Sequence, residues 1–235
     1  MASPRPWTVD PHDPITKHAD NLWSVEGSVP GMKLRRRMTV ARMGDGRLVV
    51  HNAVALDERS MKELTDWGEP AVLLVPNGFH RLDAHAWRDR FPKTRVLCPA
   101  GALKAVRKMV EADGTYADFK GDDTVQLETL DGVKEAEGVM RVRSGDAVTL
   151  VFNDLLFNQP DMPGFDGWVM KVLGSTGGPK VTNIGKWFLM KERVPFQAHL
   201  LRLADAPGLK RLVPGHGDLI EGDAAATLRA VANVL

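Results

Sequence analysis

Apolar and polar residues along this chain change period several times, and each change marks an element. Residues 1–20 have no period and are rich in Pro, Asp and His, so they read as an extended arm. Strand-like runs follow at 21–26, 38–43 and 47–50. The last two flank Gly44-Asp45-Gly46, and an Asp-Gly pair between apolar runs signals a hairpin. A helix is predicted over 58–67, opened by Asp57 as its N-cap and closed by Gly68. The run Val72-Leu73-Leu74-Val75 is apolar without a break, as a strand covered on both faces requires. A short helix at 85–91, a strand at 95–98 and a helix at 102–112 complete an alternation that points to an α/β layered fold.

The second half repeats the scheme. Strands are predicted at 125–129, 138–142 and 148–152. Residues 153–190 hold several Gly and Pro and read as a long excursion with a short helix near 167–173. A helix at 195–204, a strand at 209–213 and a last helix from about 224 to 234 close the chain. Strands then helices, twice, with no Pro/Ser-rich linker between, predict one domain over 21–235. Two such halves packed sheet on sheet make a four-layer αββα sandwich.

Composition narrows the function classes. Of 235 residues, 43% are apolar and 26% charged, an ordinary globular balance. Thirty-one Lys and Arg meet thirty Asp and Glu, which argues against nucleic acid or an anionic membrane as the main partner. The one basic run, Arg35-Arg36-Arg37, reads as a solvated turn or edge. Cys98 is the single cysteine, so no intrachain disulfide forms, and a reducing compartment is expected. With no apolar run of signal-peptide or membrane-spanning length, the expectation is a cytoplasmic protein with a small-molecule partner and no membrane partner.

Chemistry is expected on loops at one edge of the sheets. Asn77-Gly78-Phe79-His80 follows the strand VLLV. Lys134-Glu135-Ala136-Glu137-Gly138 precedes the strand at 138–142. Asn153-Asp154 follows the strand at 148–152, and Gly215-His216-Gly217 follows the strand at 209–213; His51 and Asn52 end a fifth strand. Glycines on either side of His216 allow a tight turn that presents an imidazole. Each residue also has a plainer reading: a loop histidine facing water, an aspartate capping a turn, a cysteine in the core.

The order of elements and two local matches resemble the metallo-β-lactamase superfamily. Thr149-Leu150-Val151-Phe152-Asn153-Asp154-Leu155-Leu156-Phe157 is similar to its strand ending in Gly-Asp-x-x-Phe, and Leu212-Val213-Pro214-Gly215-His216-Gly217 to its Pro-Gly-His loop. More closely, the chain is similar to a divergent branch in which Pro-Asn-x-x-His follows the apolar strand. The resemblance implies that Asp154 and His216 are metal ligands and that the default chemistry is hydrolysis. The main signature, His-x-His-x-Asp-His, is absent: Asn77 and Phe79 stand where its first two histidines belong. With His80 and Glu135 added as proposed ligands, one mononuclear site of mixed N/O type results, suited to zinc, iron or manganese. Asp83 or Glu137 would serve as base. Two other readings stay open. In one, the fold has lost its metal and serves in binding or scaffolding. In the other, residues 160–190 form a lid over a ligand pocket lined by Trp168 and Trp187.

Overall fold

The computed structural model describes residues 4–235, apart from Ile184 and the side chain of Asp166. Thr16–Ala19 (β1), Leu22–Val29 (β2), Met32–Arg42 (β3) and Leu48–His51 (β4) form antiparallel neighbours. Glu58–Trp67 (α1) then crosses to Pro70–Leu74 (β5), and Ala84–Arg90 (α2) to Arg95–Cys98 (β6). Leu103–Val106 (α3) leads on to Gly114–Thr115 (β7). Strands β4 to β7 are parallel, and the seven run in chain order across one sheet. Val125–Thr129 (β8), Gly138–Ser144 (β9) and Ala147–Val151 (β10) begin the second sheet. After Phe157–Asn158 (β11), Gly164–Val172 (α4) and Arg193–Ala204 (α5), the chain adds Leu209–Val213 (β12) parallel to β10. His216–Gly217 (β13) pairs with β11, Ile220–Glu221 (β14) with β12, and Ala224–Asn233 (α6) ends the fold.

Strand alternation divides the core into three apolar layers. Val49, Val72, Leu74 and Leu97 of the first sheet meet Val125, Met140, Val142, Val151 and Val213 of the second. Their neighbours Val50, Leu73 and Val96 turn outward to pack with Met61 and Leu64 of α1 and Trp87 of α2. On the far side Val148, Leu150 and Leu212 pack with Phe196 and Leu200 of α5 and Leu228 of α6. This is the four-layer αββα sandwich expected from the sequence. Among the described residues, no helix is long and apolar enough to cross a membrane.

Several expectations need correction. Arg35-Arg36-Arg37 lies inside β3 rather than in a solvated turn. Arg36 and Arg37 are buried, the first paired with Asp83 and the second with Glu26. A buried guanidinium persists only when paired and hydrogen-bonded, and both are. The helix expected at 102–112 is regular only over Leu103–Val106. Beyond it the backbone tightens into i→i+3 bonds such as Met109 N to Val106 O (2.8 Å). The N-terminal arm is extended, but Thr16–Ala19 joins the sheet as an edge strand, and Arg5 reaches Asp83 (2.6 Å).

Candidate metal centre

Both sheets end their strands at one edge, and the candidate loops meet there. β5 delivers Asn77 and His80, β10 delivers Asp154, and the turn after β12 delivers His216. That turn is clamped from β3: Arg37 N donates to Gly215 O (2.9 Å), and the Arg37 guanidinium donates to Pro214 O (2.9 Å) and Gly217 O (2.7 Å). Gly215 is required there, because a Cβ would stand 2.7 Å from Asn153 Oδ1. Phe157 packs its ring against His216, with centroids 4.7 Å apart.

Three side chains converge. His80 Nε2 lies 2.9 Å and His216 Nε2 3.3 Å from Asp154 Oδ1, and the two Nε2 atoms are 3.2 Å apart. The outer nitrogens settle the tautomers. His216 Nδ1 faces Arg35 O (2.5 Å), a carbonyl that can only accept, so Nδ1 carries the proton. Asn52 donates its Nδ2 to Arg37 O, which turns its Oδ1 to His80 Nδ1 (3.2 Å), again a proton carrier. Neutral imidazoles so held aim two Nε2 lone pairs and a carboxylate oxygen at one point. Such a set repels itself unless a cation or a proton lies among its members. Four ligands at 2.0–2.1 Å around zinc stand about 3.3 Å apart, close to the separations found. The donor set therefore fits a divalent metal, with the outer partners acting as the orienting groups that metal-bound histidines require.

Asn52 adopts a left-handed backbone, φ 58°, tolerated by asparagine better than by most residues. Burial alone would raise the Asp154 carboxyl, but with no cation among the three a proton held by the two imidazoles keeps it well below the usual carboxylate range. Burial lowers His80, with Asp154 opposing and His216 adding to the effect.

The other sequence candidates stand elsewhere. Glu135, expected as a ligand, is exposed on a left-handed turn (φ 51°) and is not part of the converging group. Asp83, expected as a base, is buried with both oxygens committed. Arg5 Nε and Nη2 take one, and Arg36 and Ala55 N take the other. Glu137 is also buried. Its Oε1 accepts from Asn153 N (2.9 Å) and Leu155 N (3.0 Å), and its Oε2 from Asp154 N (2.9 Å) and Asn77 Nδ2 (3.2 Å). Burial and the neighbouring Asp154 charge push it up to about 8 against those backbone donors. The carboxylate shapes the turn that presents Asp154 rather than facing a substrate.

Sequence reasoning passed over the part played by Asn77. Its Nδ2 donates to Asp154 Oδ2 (2.8 Å) while its Oδ1 accepts from Phe79 N and His80 N. An amide thus stands where the resemblance places a ligand histidine. The only signal was its position in the motif.

A cavity of about 450 Å³ opens over the cluster, lined by His80, Asp154 and His216 together with Arg36, Phe79, Leu82, Phe157, Met170, Leu173 and Leu189. The excursion does supply part of its wall. Trp168 and Trp187, expected to line it, are instead 61% and 65% exposed.

His51, beside this centre, gives a test of folding. Burial and the nearby His80 push its imidazole down to about 3. The unfolded chain takes up this proton near 6.5 and the folded chain does not, so stability falls as pH drops below about 6.5. By pH 4.5 the loss should reach about 2–3 kcal/mol, and His51→Gln should flatten that part of the curve in urea titrations.

No protein-family model matches the sequence, and no curated protein matches it. Solved structures do. A DIM-1 metallo-β-lactamase structure exposed to ceftazidime aligns at TM-score 0.57 and 16% identity, covering 97% of this chain and 99% of that one. The metallo-β-lactamase of Pontibacter korlensis aligns at 0.58 and 12%, covering 94% and 99%. FIM-1 of Pseudomonas aeruginosa, in its mono-zinc form, aligns at 0.58 and 11%, covering 97% and 98%. The chain has the metallo-β-lactamase fold.

Proposed function

We propose that the protein is a hydrolase that uses one divalent metal, held by His80, Asp154 and His216, on a small-molecule substrate bound in the adjoining cavity. The observation that carries this reading is the convergence of two proton-free Nε2 atoms and one carboxylate oxygen on a single point. Three protein ligands and an open fourth position are the usual complement of catalytic zinc, and the N/O set also suits iron or manganese. The Asn77 amide favours one metal over two, because it occupies the Asp154 oxygen that a second ion would need. FIM-1 has a mono-zinc form, so a single metal is compatible with the fold.

When bound, the metal would supply a water acidic enough to attack near neutral pH. The chain does the rest. Asn52 and the Arg35 carbonyl orient the two imidazoles, Asn77 and Glu137 hold Asp154, and the apolar wall excludes bulk water. Neither Asp83 nor Glu137 is placed to take a proton, which leaves the water's activation to the metal.

Elemental analysis tests this on protein purified without chelator or affinity nickel. About one zinc, iron or manganese per chain is expected. No metal, even after incubation with each, would overturn the reading. A proton would then bridge the cluster, and the protein would be a metal-free binding or scaffolding module.

A further inference from the structure

The cavity over the cluster is apolar for most of its wall. Away from His80, Asp154, His216 and Arg36, the polar side chains lining it among the described residues are only Ser175 and Thr182. A second hollow of about 620 Å³ adjoins it between the β2–β3 hairpin tip and α4, lined mainly by Met162, Phe165 and Val169. The two share Met32, Leu34 and Met170. Methionine is unbranched and flexible, so this common wall yields readily to an elongated guest. Phe79 and Phe165, which line the two hollows, are each more than half exposed, as is Trp168 stacked beside Phe165. An exposed apolar surface of this extent marks a binding surface rather than an ordinary exterior. Residues 161–193 supply much of the wall, and Lys33 also lines the second hollow.

We propose that the site takes an amphiphile: a carboxylic ester or amide of an unbranched acyl chain, its carbonyl at the cluster and its chain along the two hollows. This rests on the hydrolase reading of the same centre. In the reaction a water oxygen bonds to the carbonyl carbon, and the bond from that carbon to the ester oxygen or amide nitrogen breaks. The leaving heteroatom departs with a proton from the water, giving the free acid and an alcohol or amine. A compact ring substrate would fill the first hollow and leave the second unused.

The product-like probe is the straight-chain fatty acid series from four to sixteen carbons, each below its micelle concentration. It is titrated into chelator-treated protein by calorimetry, with tryptophan fluorescence as a second signal. Affinity should climb by up to about fourfold per methylene while the chain still finds apolar wall, then level off. Met32→Asp, at a site 58% exposed and so tolerant of change, should weaken the longest acids at least tenfold and leave the four-carbon acid unaffected. Affinity flat with chain length, an unaffected Met32→Asp, or binding only to anionic vesicles would overturn the proposal. Length-dependent binding without any hydrolysis would uphold the acyl site and count against the hydrolase. Metal-dependent hydrolysis of short esters with no length preference would do the reverse.

Discussion

Asp154→Asn should strip the metal from the protein while leaving it folded. Asp154 is the hub of the centre: Oδ1 faces both histidines and Oδ2 takes the Asn77 amide. Without its charge, two neutral imidazoles remain, one short of the protein ligands that catalytic zinc keeps. Metal content should fall from about one per chain to below about 0.1, and any metal-dependent kcat/KM by about 10³-fold or more. Stability should fall as well: the fold holds the Asp154 carboxyl well below the usual range, so its charge stabilises the metal-free protein too, and the variant should melt below chelator-treated wild type. The metal-free reading predicts the same melt and differs in metal content. If Asp154 only ties loops together, the substitution costs about 1–3 kcal/mol and neither protein carries metal. Elemental analysis, and the rise in melting temperature that added metal gives only the wild type, separate the two.

What the sequence made legible follows the range over which its signals act. The strands Arg95–Cys98 and Leu209–Val213 and the helix Glu58–Trp67 stand within the bounds expected of them. Their signals are local: a run of apolar residues, or Asp57 accepting from Ser60 N (2.9 Å) as an N-cap. His80, Asp154 and His216 could be named because each sits in a short loop after an apolar strand. That their atoms meet follows from strands packed side by side and sheet on sheet. The Arg35-Arg36-Arg37 run misled because burial there depends on distant partners, Asp83 being 47 residues away from Arg36. Glu135 and Glu137 are two residues apart in one polar loop, and nothing local tells them apart. The difference lies in β9 pairing with β10, which brings the residue before Gly138 beside the end of the neighbouring strand. One carboxylate reaches three backbone N–H groups there, and the other faces water.

That difference gives Glu137→Gln a large and pH-dependent effect. Its four neighbours all donate: the N–H groups of Asn153, Asp154 and Leu155, and the Asn77 amide. An ionised carboxylate has acceptor sites for every one, whereas glutamine turns an NH₂ group toward two of them. Two buried donors left unpaired, facing a third donor, should cost about 3–5 kcal/mol. For a chain of this size that lowers Tm by about 10 °C. The carboxyl is pushed up to about 8 from an unfolded value near 4.5, so the stability it contributes is full at low pH and is lost as pH rises toward 8. Glutamine does not titrate, so the gap between wild type and variant should be widest near pH 5 and narrow toward pH 9, read in chelator-treated protein. The same turn aims Asp154 at the histidines, so metal affinity should drop about 10–100-fold. A Tm gap that instead widens as pH rises would mean that the four donors outweigh burial and that Glu137 is ionised in the folded protein throughout.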